Sequence, residues 1–363
     1  MNVTATTGAS GPVYRCFSNP AYAVYVVRLE MKSVIFTSDH GVLTTYTNDF
    51  AGTNGTVFDP RGWTATGTNN PITQTKDTKL TADVTLCVQP SGIAYDLTGD
   101  GYLGYFTFHT NGLTSSGSDQ TFSLTADASL PAQVDVLTHD IDWSIDVGGL
   151  TCVATSSGPH TVYVTWDTPT GTEPTLTRVD WSVNLAIMST TLDQIGDAIG
   201  PDAVGGDRFG SNSIFGTPPS LTTAWQVMDG YNGDCGSLST LMRYELDMLG
   251  ATGAVVRFVY PRHASWSGLS QPSPPYTSYS ETNSSGSRLN MWFSGGIGAG
   301  GNRYEGCCEY RSNWWMGGYG SALTSAYDVL ISVTDPNTDG TNNPHQYWES
   351  NITNAVAYPP GTP

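Results

Sequence analysis

Residues 233–259 read GDCGSLSTLMRYELDMLGATGAVVRFV and carry the clearest local structure signals in the chain. Five apolar side chains recur at offsets 0, 3, 4, 8 and 11, which is the stripe of an amphipathic helix. They are Leu238, Leu241, Met242, Leu246 and Leu249. Asp234 suits the N-cap of this helix, and Gly250 suits the left-handed residue that ends it. The spacing therefore predicts a helix followed by a strand over 254–260.

Cys235 stands where this predicted helix begins. A cysteine in the first turn of a helix meets unpaired backbone N–H groups and the positive end of the macrodipole, and both favour the thiolate. The carboxylate of Asp234 opposes this effect electrostatically. Cys235 is therefore a candidate nucleophile, and the alternative is a buried cysteine that only packs.

Four short features of this stretch resemble the core of the transglutaminase-like superfamily, whose members have a papain-like cysteine fold. They are Gly233-x-Cys235, Leu241, Leu249-Gly250-Ala251 and Val255-x-Arg257-x-Val259. The resemblance extends over roughly 190–350 and is close only over 233–260. It implies that Cys235 is the nucleophile of an acyl transfer on amide bonds, in a peptidase or a cross-linking enzyme with a protein or peptide substrate.

The resemblance also implies a later histidine and an aspartate. The histidine accepts the thiol proton and returns it to the leaving amine, and the aspartate orients the imidazole ring. Asp335, which precedes a proline, fits the aspartate position. The two strand starts where the histidine is expected carry Asn302 and Asn290 instead.

The histidines after Cys235 are His263, which comes too early for the family order, and His345, which comes too late. The candidate catalytic positions are Cys235, Asn302, Asp335 and His345. Two functions stay open: an active cysteine enzyme, or a non-catalytic extracellular structural or binding protein whose site has lost its histidine.

Two acidic segments have the spacing of a calcium loop. Asp335, Asn337 and Asp339 match its Asp-x-Asn-x-Asp-Gly start, and Asp96 and Asp100 match it less closely. Neither segment has a glutamate at the twelfth position, so neither is an EF-hand. Surface turns that bind Ca²⁺ weakly and ordinary Asx and Gly turns both fit this pattern. The sequence requires no cofactor and leaves Ca²⁺ as the candidate ion.

Residues 1–190 show short alternating runs between Gly, Asn, Asp and Pro turns, a pattern that favours sandwiches or barrels over βαβ units. The near copies IDWSID (141–146) and VDWSVN (179–184) are interpreted as two strands of one small sheet. No window before residue 190 is interpreted as helical, whereas short helices are expected over 192–199 and 221–228.

The expected architecture is multidomain, with an N-terminal all-β half of one or two Ig-like sandwich modules and a C-terminal α+β domain of papain/transglutaminase-like fold. The boundaries are 1–130 for a β-sandwich module, 131–190 for a small β module or second sandwich, 191–350 for the transglutaminase-like domain and 351–363 for a Pro-rich tail.

The composition of the chain limits the classes of partner that we expect. The chain of 363 residues has 14 basic and 32 acidic side chains, a formal charge of −18 that disfavours binding to phosphate backbones. No run of 18 apolar residues occurs, so no membrane span is expected.

The 48 Thr, 41 Gly and only 3 Lys are typical of exported proteins. No signal-peptide pattern is visible at Met1, so either a leader has been removed or the chain stays in the cytosol. We expect an extracellular or cell-surface protein whose partners are a protein or peptide substrate or other surface proteins.

Overall fold

A computed structural model describes residues 6–8, 11–17, 24–37, 50, 58–170, 174–204, 221–229, 233, 235–259, 289–291, 305–316, 322–323, 348–350 and 355–357. The chain divides into two compact units. Unit 1 comprises Met1–Thr45 and Thr56–Pro169, and unit 2 comprises Tyr46–Gly55 and Thr170–Pro363. Unit 2 therefore takes a short segment from the N-terminal half of the chain.

Unit 1 is built on one large sheet. Its strands are β1 (Thr6–Gly8), β2 (Gly11–Phe17), β3 (Val24–Phe36), β4 (Gly62–Thr64), β5 (Ile72–Thr75), β6 (Lys79–Gln89), β7 (Ala94–Asp100), β8 (Phe108–Thr114), β9 (Asp119–Ser129), β10 (Asp135–Val147) and β11 (Leu150–Thr165). They follow the order β1-β2-β3-β6-β9-β8-β7-β10-β11-β5, and β4 pairs with β3. All neighbours are antiparallel except β11 and β5, which are parallel. A 3₁₀ turn at Tyr102–Gly104 lies between β7 and β8.

The predicted architecture of Ig-like sandwich modules followed by a separate papain-like α+β domain is wrong. The structure is mostly β, and its largest feature is this single, nearly closed sheet. Strands β10 and β11 belong to the same sheet as β1–β9 and do not form a second module. Strand β11 also lies close to β2 and β3. Alternation with period 2 predicts strands but not their partners, and so the sequence pattern did not reveal that distant strands join one sheet.

The interior of unit 1 follows from alternation along the strands. In β6, the buried positions are every second residue from Leu80 to Leu86, followed by Cys87 and Val88. Trp143 of β10 is fully buried and stacks on Phe108 of β8 at 6.2 Å between ring centroids. Its ring covers Gly99 on the neighbouring strand, where a Cβ would lie 2.6 Å from the indole. A glycine is therefore required opposite this tryptophan.

Unit 2 combines helices with short antiparallel strands. Its helices are α1 (Leu176–Leu185), α2 (Leu192–Ala203), α3 (Leu221–Gln226) and α4 (Cys235–Met248), with a 3₁₀ turn at Val227–Asp229 after α3. Its strands are β12 (Val255–Val259), β13 (Leu289–Met291), β14 (Glu305–Tyr310), β15 (Asn313–Met316), β16 (Ala322–Leu323), β17 (Trp348–Ser350) and β18 (Ala355–Ala357). Five of them form a sheet in the order β16-β15-β14-β12-β18, and β13 pairs with β17.

The structure confirms the helix predicted from the apolar stripe. All five stripe residues are fully buried, and α4 packs against α2, α3 and β14. Gly250 ends the helix region with a φ of 67°, and β12 follows it. Asp234, the expected N-cap, lies outside the described residues. The short helices expected over 192–199 and 221–228 are confirmed as α2 and α3.

The strand predicted over 179–184 is wrong, because these residues belong to α1. The Thr175 side chain accepts a hydrogen bond from the backbone N–H of Arg178 and caps the helix. The buried residues of α1 recur at offsets 0, 3, 4 and 7 and lie on one face, as expected for a helix. These positions are Val179, Ser182, Val183 and Ala186. The VDWSVN pattern is compatible with both the strand period of 2 and the helix period of 3.6. The Thr175 cap favours the helix.

Two glycines on α2 allow the helix to approach the β14–β15 hairpin. A Cβ at Gly200 would lie 2.3 Å from the ring of Trp315, and one at Gly196 would lie 2.9 Å from Tyr310. Trp314 and Trp315 of this hairpin are both buried. The glycines at i and i+4 therefore form a groove that fits two aromatic rings.

Candidate functional site

Cys235 is the first residue of α4. Gly233 precedes it and is buried between the 3₁₀ turn and the helix. A Cβ at Gly233 would lie 3.0 Å from Val227 Cγ2 and 3.1 Å from Ser237 Cβ. Close packing therefore favours a glycine two residues before the candidate nucleophile. This requirement explains the Gly-x-Cys feature in steric terms.

The other candidate catalytic residues are not brought to Cys235 by the described parts of the chain. Asn302, Asp335 and His345 lie outside the described residues, and so do His263, Asn337 and Asp339. Asn290 is in β13, which pairs with β17 in a separate two-stranded sheet. In the described ranges of unit 2 no histidine occurs, since His109, His139 and His160 all belong to unit 1.

The strand after α4 carries the last part of the resemblance. Arg257 of β12 forms an ion pair with Glu309 of β14, and its guanidinium lies 5.6 Å from the ring centroid of Trp314. On β14, Cys308 is fully buried, and burial raises the pKa of its thiol far above the usual value. Cys308 is therefore a packing residue rather than a nucleophile at neutral pH. The thiol of Cys307 donates to the Arg257 carbonyl at 3.5 Å.

The C-terminal half of α4 holds a largely buried carboxylate. Asp247 lies 3.7 Å from the Arg243 guanidinium, one helical turn earlier. The Thr170 hydroxyl donates to Asp247 Oδ1 at 3.4 Å. Burial raises the pKa of Asp247 to about 6, although Arg243 and the Thr170 hydrogen bond both act in the opposite direction. This carboxyl group therefore titrates near neutral pH.

A second cluster in unit 2 surrounds Phe50, the one described residue of the segment 46–55. Its ring stacks on Trp225 at 5.9 Å and meets the edge of Trp181 at 5.7 Å. Its backbone N–H donates to Asp229 Oδ1 at 2.9 Å, and its carbonyl accepts from Arg178 Nε at 2.8 Å. We call these four surrounding residues the Phe50 pocket. Both the ring and the backbone of Phe50 are thus recognised by side chains.

The sequence interpretation missed the Phe50 pocket. Its members come from α1, α3 and the following 3₁₀ turn, and they lie 128 to 179 residues from Phe50 in the sequence. No local spacing links such distant positions. A correct assignment of α1 would have placed Arg178 and Trp181 on one helix, three residues apart, which is the single local signal.

The interior of unit 1 contains a polar chain that was also missed. The Trp143 indole N–H donates to Ser157 Oγ at 2.9 Å, and Ser157 Oγ lies 2.9 Å from His160 Nε2. Burial lowers the pKa of His160 to about 4. The imidazole is therefore neutral at physiological pH, and it packs between the rings of Phe36 and Phe106.

Asp96 and Asp100 lie within strand β7 rather than in a turn. Four residues along a strand span about 13 Å, so the two carboxylates do not converge on one ion. Asp96 accepts a hydrogen bond from the Gly112 N–H at 2.7 Å. Across the described ranges, no group of three or more His, Cys, Asp or Glu side chains is placed to hold a metal ion.

None of the described helices is both long and apolar enough to cross a membrane. Comparison with models of known protein families finds no match, and comparison with curated protein sequences finds none either.

Proposed function

We propose that Cys235 is the nucleophile of an acyl transfer on amide bonds, the chemistry implied by the resemblance to the transglutaminase-like superfamily. The observation that carries the proposal is the position of Cys235 as the first residue of α4. The first N–H groups of a helix lack intrahelical acceptors and form the positive end of its dipole. Both effects stabilise a thiolate, which is the reactive form of cysteine.

The segment that follows Cys235 supports the same proposal. The helix ends at a left-handed Gly250, and the chain continues into β12 with Arg257 in its centre. This order of helix, glycine and strand agrees with the features on which the resemblance rests. The buried thiol of Cys308, whose pKa burial raises, is a poorer nucleophile in the same unit.

Proton transfer is the weak step of the proposed reaction. By the resemblance, Asn302 or Asn290 stands where the superfamily has its histidine, and an amide does not take up and return a proton near pH 7. General-base assistance contributes roughly 10²- to 10⁴-fold to such reactions. We therefore propose a reactive but poorly catalytic cysteine, with Asp335 in the orienting position and His345 or His263 as the remaining sources of a base.

The proposed substrate is a protein or peptide outside the cell or at its surface. The excess of 32 acidic over 14 basic side chains and the abundance of Thr and Gly support this location. The alternative is a non-catalytic extracellular structural or binding protein, which needs no thiolate at Cys235.

Turnover separates the two functions. Incorporation of a fluorescent primary amine into a glutamine-containing protein, and hydrolysis of a peptide library, are measured for the full chain, Cys235→Ala and Cys308→Ala. The proposal expects slow turnover that Cys235→Ala abolishes and Cys308→Ala retains. Turnover that survives in Cys235→Ala, or no turnover in any chain, supports the non-catalytic alternative.

A further inference from the structure

Asn111 and Gly112, which are adjacent in β8, combine a reactive sequence with an exposed position. The backbone nitrogen of the residue after an asparagine can attack the asparagine side chain, and a glycine hinders this attack least because it has no Cβ. Both residues are exposed, and among the described residues no hydrogen bond holds the Asn111 amide. Apart from its chain neighbours, no described atom lies within 4 Å of the place that a Cβ at Gly112 would take. The side chain of Asn111 therefore has room to approach the Gly112 nitrogen.

The two residues form a β-bulge opposite Asp96 of β7. The register of the β7–β8 ladder shifts between Tyr95 and Leu97, so that Asn111 and Gly112 together face Asp96. Gly112 has a φ of 69°, in the left-handed region that favours glycine. Its N–H donates to Asp96 Oδ1 at 2.7 Å. A side chain therefore satisfies this N–H where the regular ladder is interrupted.

The hydrogen bond to Asp96 holds the same nitrogen that would attack. In the five-membered cyclic imide that an asparagine forms with the next residue, the backbone nitrogen has lost its hydrogen. The bond between Gly112 and Asp96 therefore stabilises the reactant and not the transition state, so it slows the reaction. The carboxylate also opposes deprotonation of the nitrogen, because a hydrogen bond from the neutral donor and a nearby negative charge both disfavour an anion.

We propose that Asn111 is a site of spontaneous self-modification and that Asp96 restrains the reaction. The Gly112 nitrogen forms a bond to Asn111 Cγ and gives its proton to water, and the side-chain nitrogen leaves with a proton from water as ammonia. Water then opens the cyclic imide. Cleavage of the new bond to Cγ yields aspartate, and cleavage of the original bond to the backbone carbonyl carbon yields isoaspartate. The net change takes up a water and releases an ammonia, without oxidation or reduction.

The isoaspartate product changes the sheet of unit 1. Its backbone passes through the former side chain, so the chain gains a methylene group between positions 111 and 112. The next residue, Leu113, pairs with the buried Tyr95 and packs against the core. The product also places a second carboxylate beside Asp96. The modification therefore weakens this part of the β7–β8 ladder. It requires no reactive Cys235, so its failure leaves the proposed thiol chemistry standing.

The test measures isoaspartate at position 111 by peptide mass spectrometry during incubation of the full chain at mildly alkaline pH. Asp96→Ala removes the acceptor of the Gly112 N–H, and Asp96→Asn keeps an acceptor oxygen without the charge. We expect isoaspartate to form about tenfold faster in Asp96→Ala than in the natural chain, because a charge-assisted hydrogen bond no longer stabilises the reactant. The rate in Asp96→Asn lies between the two. Asp100→Ala is the matched control, because it removes a carboxylate from the same strand.

A double variant separates the attack by Gly112 from a general loosening of the sheet. Gly112→Ala in the Asp96→Ala background adds a Cβ next to the attacking nitrogen, and we expect it to suppress the gain in rate. A rate in Asp96→Ala that is equal to or below that of Asp100→Ala overturns the proposal, and so does the absence of isoaspartate at position 111 from every chain. If Asp96→Ala does not fold, Asp96→Asn is compared with Asp100→Ala by the same criterion.

Discussion

Ser157 Oγ lies 2.9 Å from His160 Nε2, three residues further along β11, in the interior of unit 1. The indole of Trp143 donates to the same hydroxyl oxygen, so Ser157 connects two buried rings. His160 Nδ1 has no hydrogen-bond partner among the residues that the structure describes. A protonated imidazole here has no charge to compensate it, because no ion pair of the described chain reaches this ring.

The first prediction concerns the loss of stability of unit 1 at acid pH. Burial lowers the pKa of His160 to about 4 from 6.5, so the unfolded chain binds more protons between these values. The stabilising contribution of the neutral imidazole is present above pH 6.5 and is lost as the pH falls towards 4. Its size is about 3 kcal/mol. Hydrogen exchange of β10 and β11 peptides, corrected for the intrinsic pH dependence of exchange, measures it.

His160→Gln removes the titrating group and flattens this pH dependence. His109→Gln is the matched control, because His109 is exposed on β8. A slope that persists unchanged in His160→Gln contradicts the assignment to this residue.

The second prediction tests the groove of α2. Gly200→Ala adds a methyl group that would lie 2.3 Å from the Trp315 ring, so overpacking outweighs the gain of about 1 kcal/mol in helix propensity. We expect a net destabilisation of unit 2 by about 1–3 kcal/mol. Urea unfolding measures it, with Asp197→Ala on the exposed face of α2 as control. In a Trp315→Leu background the same methyl group costs less, and an unchanged cost there contradicts the steric account.

The third prediction concerns Asp247. Burial raises the pKa of Asp247 to about 6 from 3.8. This shift is opposite in direction to that of His160, whose pKa burial lowers. The stabilising contribution of the protonated carboxyl is fully present below pH 3.8 and is lost as the pH rises through about 6. Asp247→Asn therefore gains stability relative to the natural chain between pH 4 and 7. Hydrogen exchange of α4 peptides reports the difference, with the exposed Asp197→Asn as the control.

The fourth prediction concerns Ca²⁺ and residues outside the described ranges. If Asp335, Asn337 and Asp339 hold the ion, millimolar Ca²⁺ raises the Tm by mass action on the folded state. Asp339→Asn removes the response, and Asp100→Asn retains it because Asp100 lies in β7. A melting curve that is identical with Ca²⁺ and with chelator rules out the site.

Local signals predicted the elements whose causes are local. The stripe of α4, its terminator Gly250 and the strand after it are encoded within 27 residues, and the structure confirms all three. In VDWSVN the strand and helix periods overlap, and the Thr175 cap that decides between them lies outside the pattern.

Long-range pairing was not predictable from such signals. The parallel contact of β5 with β11 joins residues about 90 positions apart. The Phe50 pocket likewise depends on contacts across more than 120 positions. Both arise from tertiary packing, which alternation and caps do not encode. Of the candidate catalytic set, the structure places Cys235, at the start of α4.

The pH dependence of Cys235 alkylation is the most direct test of thiol chemistry in unit 2. Iodoacetamide labelling of the native chain is followed by peptide mass spectrometry from pH 5 to 10, with the buried Cys87 and Cys308 as internal controls. A thiolate stabilised at the start of α4 gives half-maximal labelling of Cys235 below about pH 7.5, and the two controls react only after unfolding. Labelling of Cys235 that is half-maximal near the ordinary thiol value of about 8.5, or a Cys235 held in a disulfide, contradicts the proposal.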